Sequence, residues 1–160
     1  MTNYEEIFLE SYRRLTGDDY GERFFDHFYD AFLNTSEQIR AKFANTEMAR
    51  QKQMMRKSFF HLLNLYHTKV TSDYLERIAI QHGPSRLAIP ESMFNAWRAA
   101  ILATVRELDA RHYDVTVEIA WAMTIAPGLE FMRQMSTHTV PAPVSAEPSA
   151  FGPDPYQGKS

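Results

Sequence analysis

The chain contains no cysteine, which excludes disulfide bridges, thiolate nucleophiles and Cys-ligated zinc or iron–sulfur centres. Glycine is sparse, six in 160 residues, and no Gly-rich phosphate loop exists; Gly128 beside Pro127 does not make one. No apolar run approaches the ~20 residues needed to span a bilayer, so no membrane partner is expected. The N-terminal stretch from Met1 to Glu6 lacks the basic and apolar regions of a signal peptide. With the absence of cysteine, this makes a cytoplasmic location the expectation. An excess of positive charge is missing as well. The net charge is −3, with Lys and Arg scattered rather than clustered, so no nucleic-acid partner is expected. Ser-based elbow motifs and zincin-type His pairs do not occur, and neither does the Glu-x-x-His of four-helix di-iron sites.

What the chain does have is apolar and aromatic content, 44% and 13% of residues, enough for one domain with a sizeable core. Helical periodicity recurs, strand alternation does not, and no repeat is present. Thr2 with Glu5 forms a candidate capping box for a first helix that Gly17 ends. Asp19 with Glu22 opens a second, carrying Phe24, Phe25, Phe28 and Phe32. Ser36 caps a short third that ends near Phe43. Thr46 is the expected cap of a long helix running to about Thr68. At ~100° per residue, Met48, Gln51, Met55, Phe59, Leu62 and Tyr66 share one of its faces, with His61 and His67 off it. Ser72 caps the next helix, striped by Leu75, Ile78, Ala79 and His82 and stopped by Gly83-Pro84. Pro90 sits at an expected first helical position, ahead of Met93, Phe94, Trp97, Ile101 and Val105. Asp114 opens a last helix in which Pro127 should produce a kink. The reading is all-α, with a domain over residues 1–138.

Beyond His138 the character changes. Five of the eight prolines fall among Ser, Ala and Gly there, which reads as a disordered tail over 139–160 or as a Pro-rich recruiting segment.

His82 is the most informative single residue. It ends a helix on that helix's apolar stripe, where an imidazole serves either as an iron ligand or as a core histidine bonded to a carbonyl. Tyr29 flanks the Phe-rich face of the second helix, as a core tyrosine or a buried hydroxyl donor. Gln51 lies on an otherwise apolar face, where an amide needs partners unless the first turn is exposed. The methionines at 48, 54 and 55 read first as core filler.

Taken in order, these segments resemble the bacterial single-domain globins and the globin module of flavohaemoglobins. The likeness runs through His27-Phe28-Tyr29-Asp30-Ala31-Phe32-Leu33, Ile39-Arg40-Ala41-Lys42-Phe43 and Ala49-Arg50-Gln51-Lys52-Gln53-Met54-Met55. It continues through Leu75-Glu76-Arg77-Ile78-Ala79-Ile80-Gln81-His82, Ile89-Pro90-Glu91 and Ala120-Trp121, then Ala126-Pro127-Gly128-Leu129-Glu130-Phe131-Met132. It covers roughly residues 4–136.

The resemblance implies a globin fold, a 3-over-3 helical sandwich around haem b (iron protoporphyrin IX). It implies His82 as the proximal iron ligand, Phe43 packed on the porphyrin, and Tyr29 and Gln51 as distal gas-binding residues beside an apolar Met55. The implied ligands are O2, CO or NO. The implied roles are oxygen binding or transport, NO dioxygenation with an external reductase, or gas sensing. Arg50, Lys52 and Arg86 are the basic residues available to haem propionates. One departure stands out: the flavohaemoglobins carry a Tyr and a Glu beneath the proximal histidine, whereas the position matching the Tyr is Phe94. No matching Glu is evident in the last helix, which argues against strongly activated oxygen chemistry.

Overall fold

The computed structural model describes residues 1–82 and 89–135. Within them lie seven α-helices and no strand: α1 (Tyr4–Thr16), α2 (Glu22–Leu33), α3 (Glu37–Lys42), α4 (Met48–Thr68), α5 (Asp73–Gln81), α6 (Glu91–Leu108) and α7 (Val115–Met135). The Gly83-Pro84 stop, Arg86 and the Pro-rich segment after 138, with its proposed boundary, lie outside the described residues.

Capping explains where most helices begin, and it corrects four expected starts. Ser36 and Ser72 do cap α3 and α5, each hydroxyl accepting the backbone N–H three residues on. Asp114 likewise accepts from Val117 N at 2.9 Å ahead of α7. For α1, however, the cap is Asn3 rather than Thr2, its Oδ1 taking Glu6 N at 3.1 Å. For α4 it is Glu47 rather than Thr46. The longer Glu47 carboxylate reaches back to two otherwise orphaned donors, Ala49 N and Arg50 N. Pro90 is the cap residue of α6, not its first helical position. Asp19 organises the entry to α2 from two residues further out, binding Gly21 N and Arg23 N. The cap residue itself is Gly21, at φ 83°, a backbone region that suits glycine.

Packing centres on α7, which α1, α4, α5 and α6 all meet, while α2 packs on α6 and touches α1, α3 and α4. The core is aromatic. Trp121 of α7 stacks on Phe24 at 5.6 Å between centroids and meets the edge of Phe8 at 4.7 Å. Trp97 of α6 lies 6.0 Å from Phe59 and 5.7 Å from Phe28. Rings of this size contribute large buried areas plus edge and stacking attraction. α7 continues through Pro127 as one 21-residue helix, and it is long and apolar enough to cross a membrane. The expectation that no segment reaches that threshold is therefore corrected; the apolar length reflects a helix that packs against four others. Gly128 lets α4 approach closely, since a Cβ built there would stand 1.9 Å from Leu62 Cδ2.

A buried polar network joins the two ends of the chain's helical order. Trp121 Nε1 donates to Ser11 Oγ at 2.9 Å, and Ser11 Oγ donates to Asp109 Oδ2 at 2.8 Å. Arg14 forks onto both oxygens of Asp109, a bidentate geometry that favours the carboxylate form. Burial raises the Asp109 pKa, but the Arg14 and Ser11 bonds outweigh it and hold the group below the usual carboxylate range.

A depressed folded-state pKa gives stability that is present above the unfolded value and is lost as pH falls through the folded one. Asp109→Asn should therefore lower unfolding free energy at neutral pH by about 2 kcal/mol, the scale of a hydrogen bond to a charged group. It should also flatten the loss of stability below about pH 4, as urea titrations at several pH values will show.

Candidate functional site

His82 stands at the C-terminal cap of α5, fully buried. Its Nδ1 lies 2.7 Å from the carbonyl oxygen of Ile78, one turn earlier. A carbonyl only accepts, so Nδ1 carries the proton and the neutral ring keeps its lone pair on Nε2. Burial lowers the His82 pKa to about 4, against the opposing pull of the Ile78 carbonyl, so the ring is neutral at physiological pH. The ring of Phe94, buried on α6, lies 6.0 Å from the imidazole at 41°. Phe94 sets an aromatic hydrocarbon, with no hydroxyl, beside the imidazole.

A second cluster forms where α2, α3 and α4 meet. Tyr29, Gln51, Met55 and Phe43 are all buried, and buried Gln51 settles the choice left open by its place in the first turn of α4. The Tyr29 hydroxyl lies 3.7 Å from Met55 Sδ and is also hydrogen-bonded to the Gln51 side chain. Phe43, which ends α3, sets its ring 6.1 Å from Tyr29 and 5.9 Å from Phe32. Burial raises the Tyr29 pKa well above that of a free phenol, more than the Gln51 bond lowers it. Tyr29 is therefore a hydroxyl donor at neutral pH, not a phenolate. Four of the five residues singled out from the sequence are thus brought together, and His82 lies on a different helix from all of them.

Of the basic residues named for propionates, Lys52 pairs with Asp26 of α2 and Arg50 is exposed. Among the described residues no cluster of three or more His, Asp or Glu side chains is arranged to hold a metal ion. A metal at His82 would need other donors, as a porphyrin provides.

The chain is similar to a protein from Pseudomonas aeruginosa whose crystal structure is described as structurally highly homologous to a human haemoglobin. The TM-score is 0.76 and the sequence identity 29%, covering 85% of this chain and 100% of that one. No family profile matches the chain, and no curated protein does. The all-helical arrangement and this likeness define a globin-like fold, of the haemoglobin type.

The residues present fit a haem. A buried neutral imidazole with its Nε2 lone pair available by tautomer suits iron, and buried Met55 and Phe43 are apolar side chains of the kind that could cover a porphyrin. Sequence reasoning passed over Gln81, whose side chain is fully buried beside His82 with neither amide atom bonded among the described residues. The signal was readable: Gln81 lies three residues after Ile78 and seven after Tyr74, both buried.

The raised Tyr29 pKa carries its own test. In an ultraviolet alkaline titration of haem-free protein, Tyr29 should stay un-ionised past about pH 10, where ordinary phenols titrate. Tyr12, which burial also raises, contributes to that late limb, so Tyr29→Phe should leave the ordinary limb intact and shrink the late one by one phenol.

Proposed function

We propose that this protein is a haem b-binding globin that reversibly binds O2, and also CO and NO, with His82 as the protein's ligand to iron. The observation that carries the proposal is the buried imidazole of His82, neutral and fixed in the tautomer that leaves Nε2 as a donor, within a haemoglobin-like fold. The haem would supply the coordination position at which a diatomic gas binds. Each named side chain then has a definite task. Ile78 holds the His82 proton on Nδ1 and so fixes ring orientation. Phe94 limits the imidazole's polar surroundings, and Phe43 and Met55 give apolar cover favoured at ~25 cal/mol per Å². Tyr29 and Gln51 present a hydroxyl and an amide able to donate hydrogen bonds to a polar gas ligand.

A second reading is turnover as an NO dioxygenase with an external reductase, which a carboxylate on the imidazole Nδ1 would promote; the Nδ1 of His82 meets a backbone carbonyl instead, a weaker pull. Steady NO consumption with a supplied reductase would favour the enzyme; stoichiometric single turnover favours the binder.

Purified protein reconstituted with hemin should show an intense absorption band near the violet edge that shifts on adding dithionite and CO. His82→Gly should release hemin at least about tenfold faster, the loss expected for one strong charge-bearing or metal contact. Added imidazole should restore the spectrum. Tyr29→Phe should leave hemin bound and change the O2 dissociation rate; an unchanged rate would show that the hydroxyl does not face the gas.

A further inference from the structure

The C-terminal end of α5 carries two fully buried polar side chains in succession, Gln81 and His82. His82 is accounted for by its bond to Ile78. Gln81 is not. Its Nε2 and its Oε1 both lack a hydrogen-bond partner among the described residues. A buried amide with no bonds is strongly unfavourable, and native proteins leave few such groups without a reason. Helical spacing places Gln81 on the buried side of α5 with Tyr74 and Ile78, so solvent does not satisfy it.

What would satisfy it is set by chemistry. The N–H groups of a primary amide can be satisfied only by an acceptor, and a buried N–H without one is rarer in native proteins than an under-satisfied carbonyl oxygen. A haem is apolar apart from its iron, which His82 would take, and two peripheral carboxylates. We infer that Gln81 is a further cofactor-binding residue, whose Nε2 donates a hydrogen bond to a porphyrin carboxylate on the His82 side. The inference rests on the haem reading above and deepens it. It also gives the amide opposite effects in the two states of the protein. Without haem, Gln81 destabilises the fold; with haem, it holds the cofactor.

That reversal of sign is what a merely structural role does not produce. Gln81→Met keeps the length of the side chain and removes its polarity. Haem-free Gln81→Met should unfold at a higher urea concentration than the wild type. The hemin-loaded variant should lose hemin to an acceptor protein about tenfold faster, the loss of one hydrogen bond to a charged group. Loaded instead with hemin dimethyl ester, whose carboxylates carry no charge, variant and wild type should lose the cofactor at similar rates. Gln81→Glu, which sets two carboxylates against each other, should release hemin faster still at neutral pH. The inference is overturned if Gln81→Met lowers the stability of the haem-free protein, or if it holds hemin as the wild type does. It is also overturned if hemin and its ester are lost equally faster. A wild type that takes up no hemin would sink the haem reading itself, which separates the two failures.

Discussion

The hydrogen bond between His82 Nδ1 and the Ile78 carbonyl governs the rest of the site. It is local, spanning one turn of α5 at 2.7 Å, yet it decides which nitrogen of a buried ring is basic. A ring free to flip would present a proton or a lone pair at random, and burial would then disfavour both its charged form and its unpaired form. With the proton held against the carbonyl, the helix end offers a single, oriented donor atom. The α7 scaffold, on which α5 packs, keeps that donor in place.

Much of this was legible in the sequence because amphipathic faces are periodic. The stripe of α5 and the Met55, Phe59, Leu62 face of α4 are buried as their spacing requires, while Met48 and Tyr66 at the ends of that face are half-buried. Helix starts were less legible. At Thr2-Asn3 and at Thr46-Glu47, two adjacent residues each offer a side-chain oxygen, and the choice between them depends on how the preceding chain enters. Gln51 could not be assigned from α4 alone, since its burial comes from neighbouring elements and not from its own helix.

Long-range polar pairing was the least legible feature. Ser11 looks like a neutral interruption of an apolar stripe between Phe8 and Leu15, and Asp109 like an ordinary residue after a helix. Their meeting brings together positions 98 apart in sequence, and Trp121 joins them through its indole N–H. Spacing rules see only neighbours on one helix; partners on α1, on α7 and just past the end of α6 become visible with the fold. The same holds for Phe94, whose meaning lies in the imidazole it faces.

Pro127 and Gly128 sit side by side in α7 and divide two tasks. Pro127 is half-buried and tolerated within the helix, while Gly128 is buried and makes room for Leu62. Leu62 belongs to α4, the helix whose first turns carry Gln51 and Met55. The depth at which α4 seats is thus registered from behind, by an absent methyl group on α7. On the gas-binding reading proposed above, affinity would be open to tuning from that far wall, through the thickness of α4, with Tyr29, Gln51 and Met55 all unchanged.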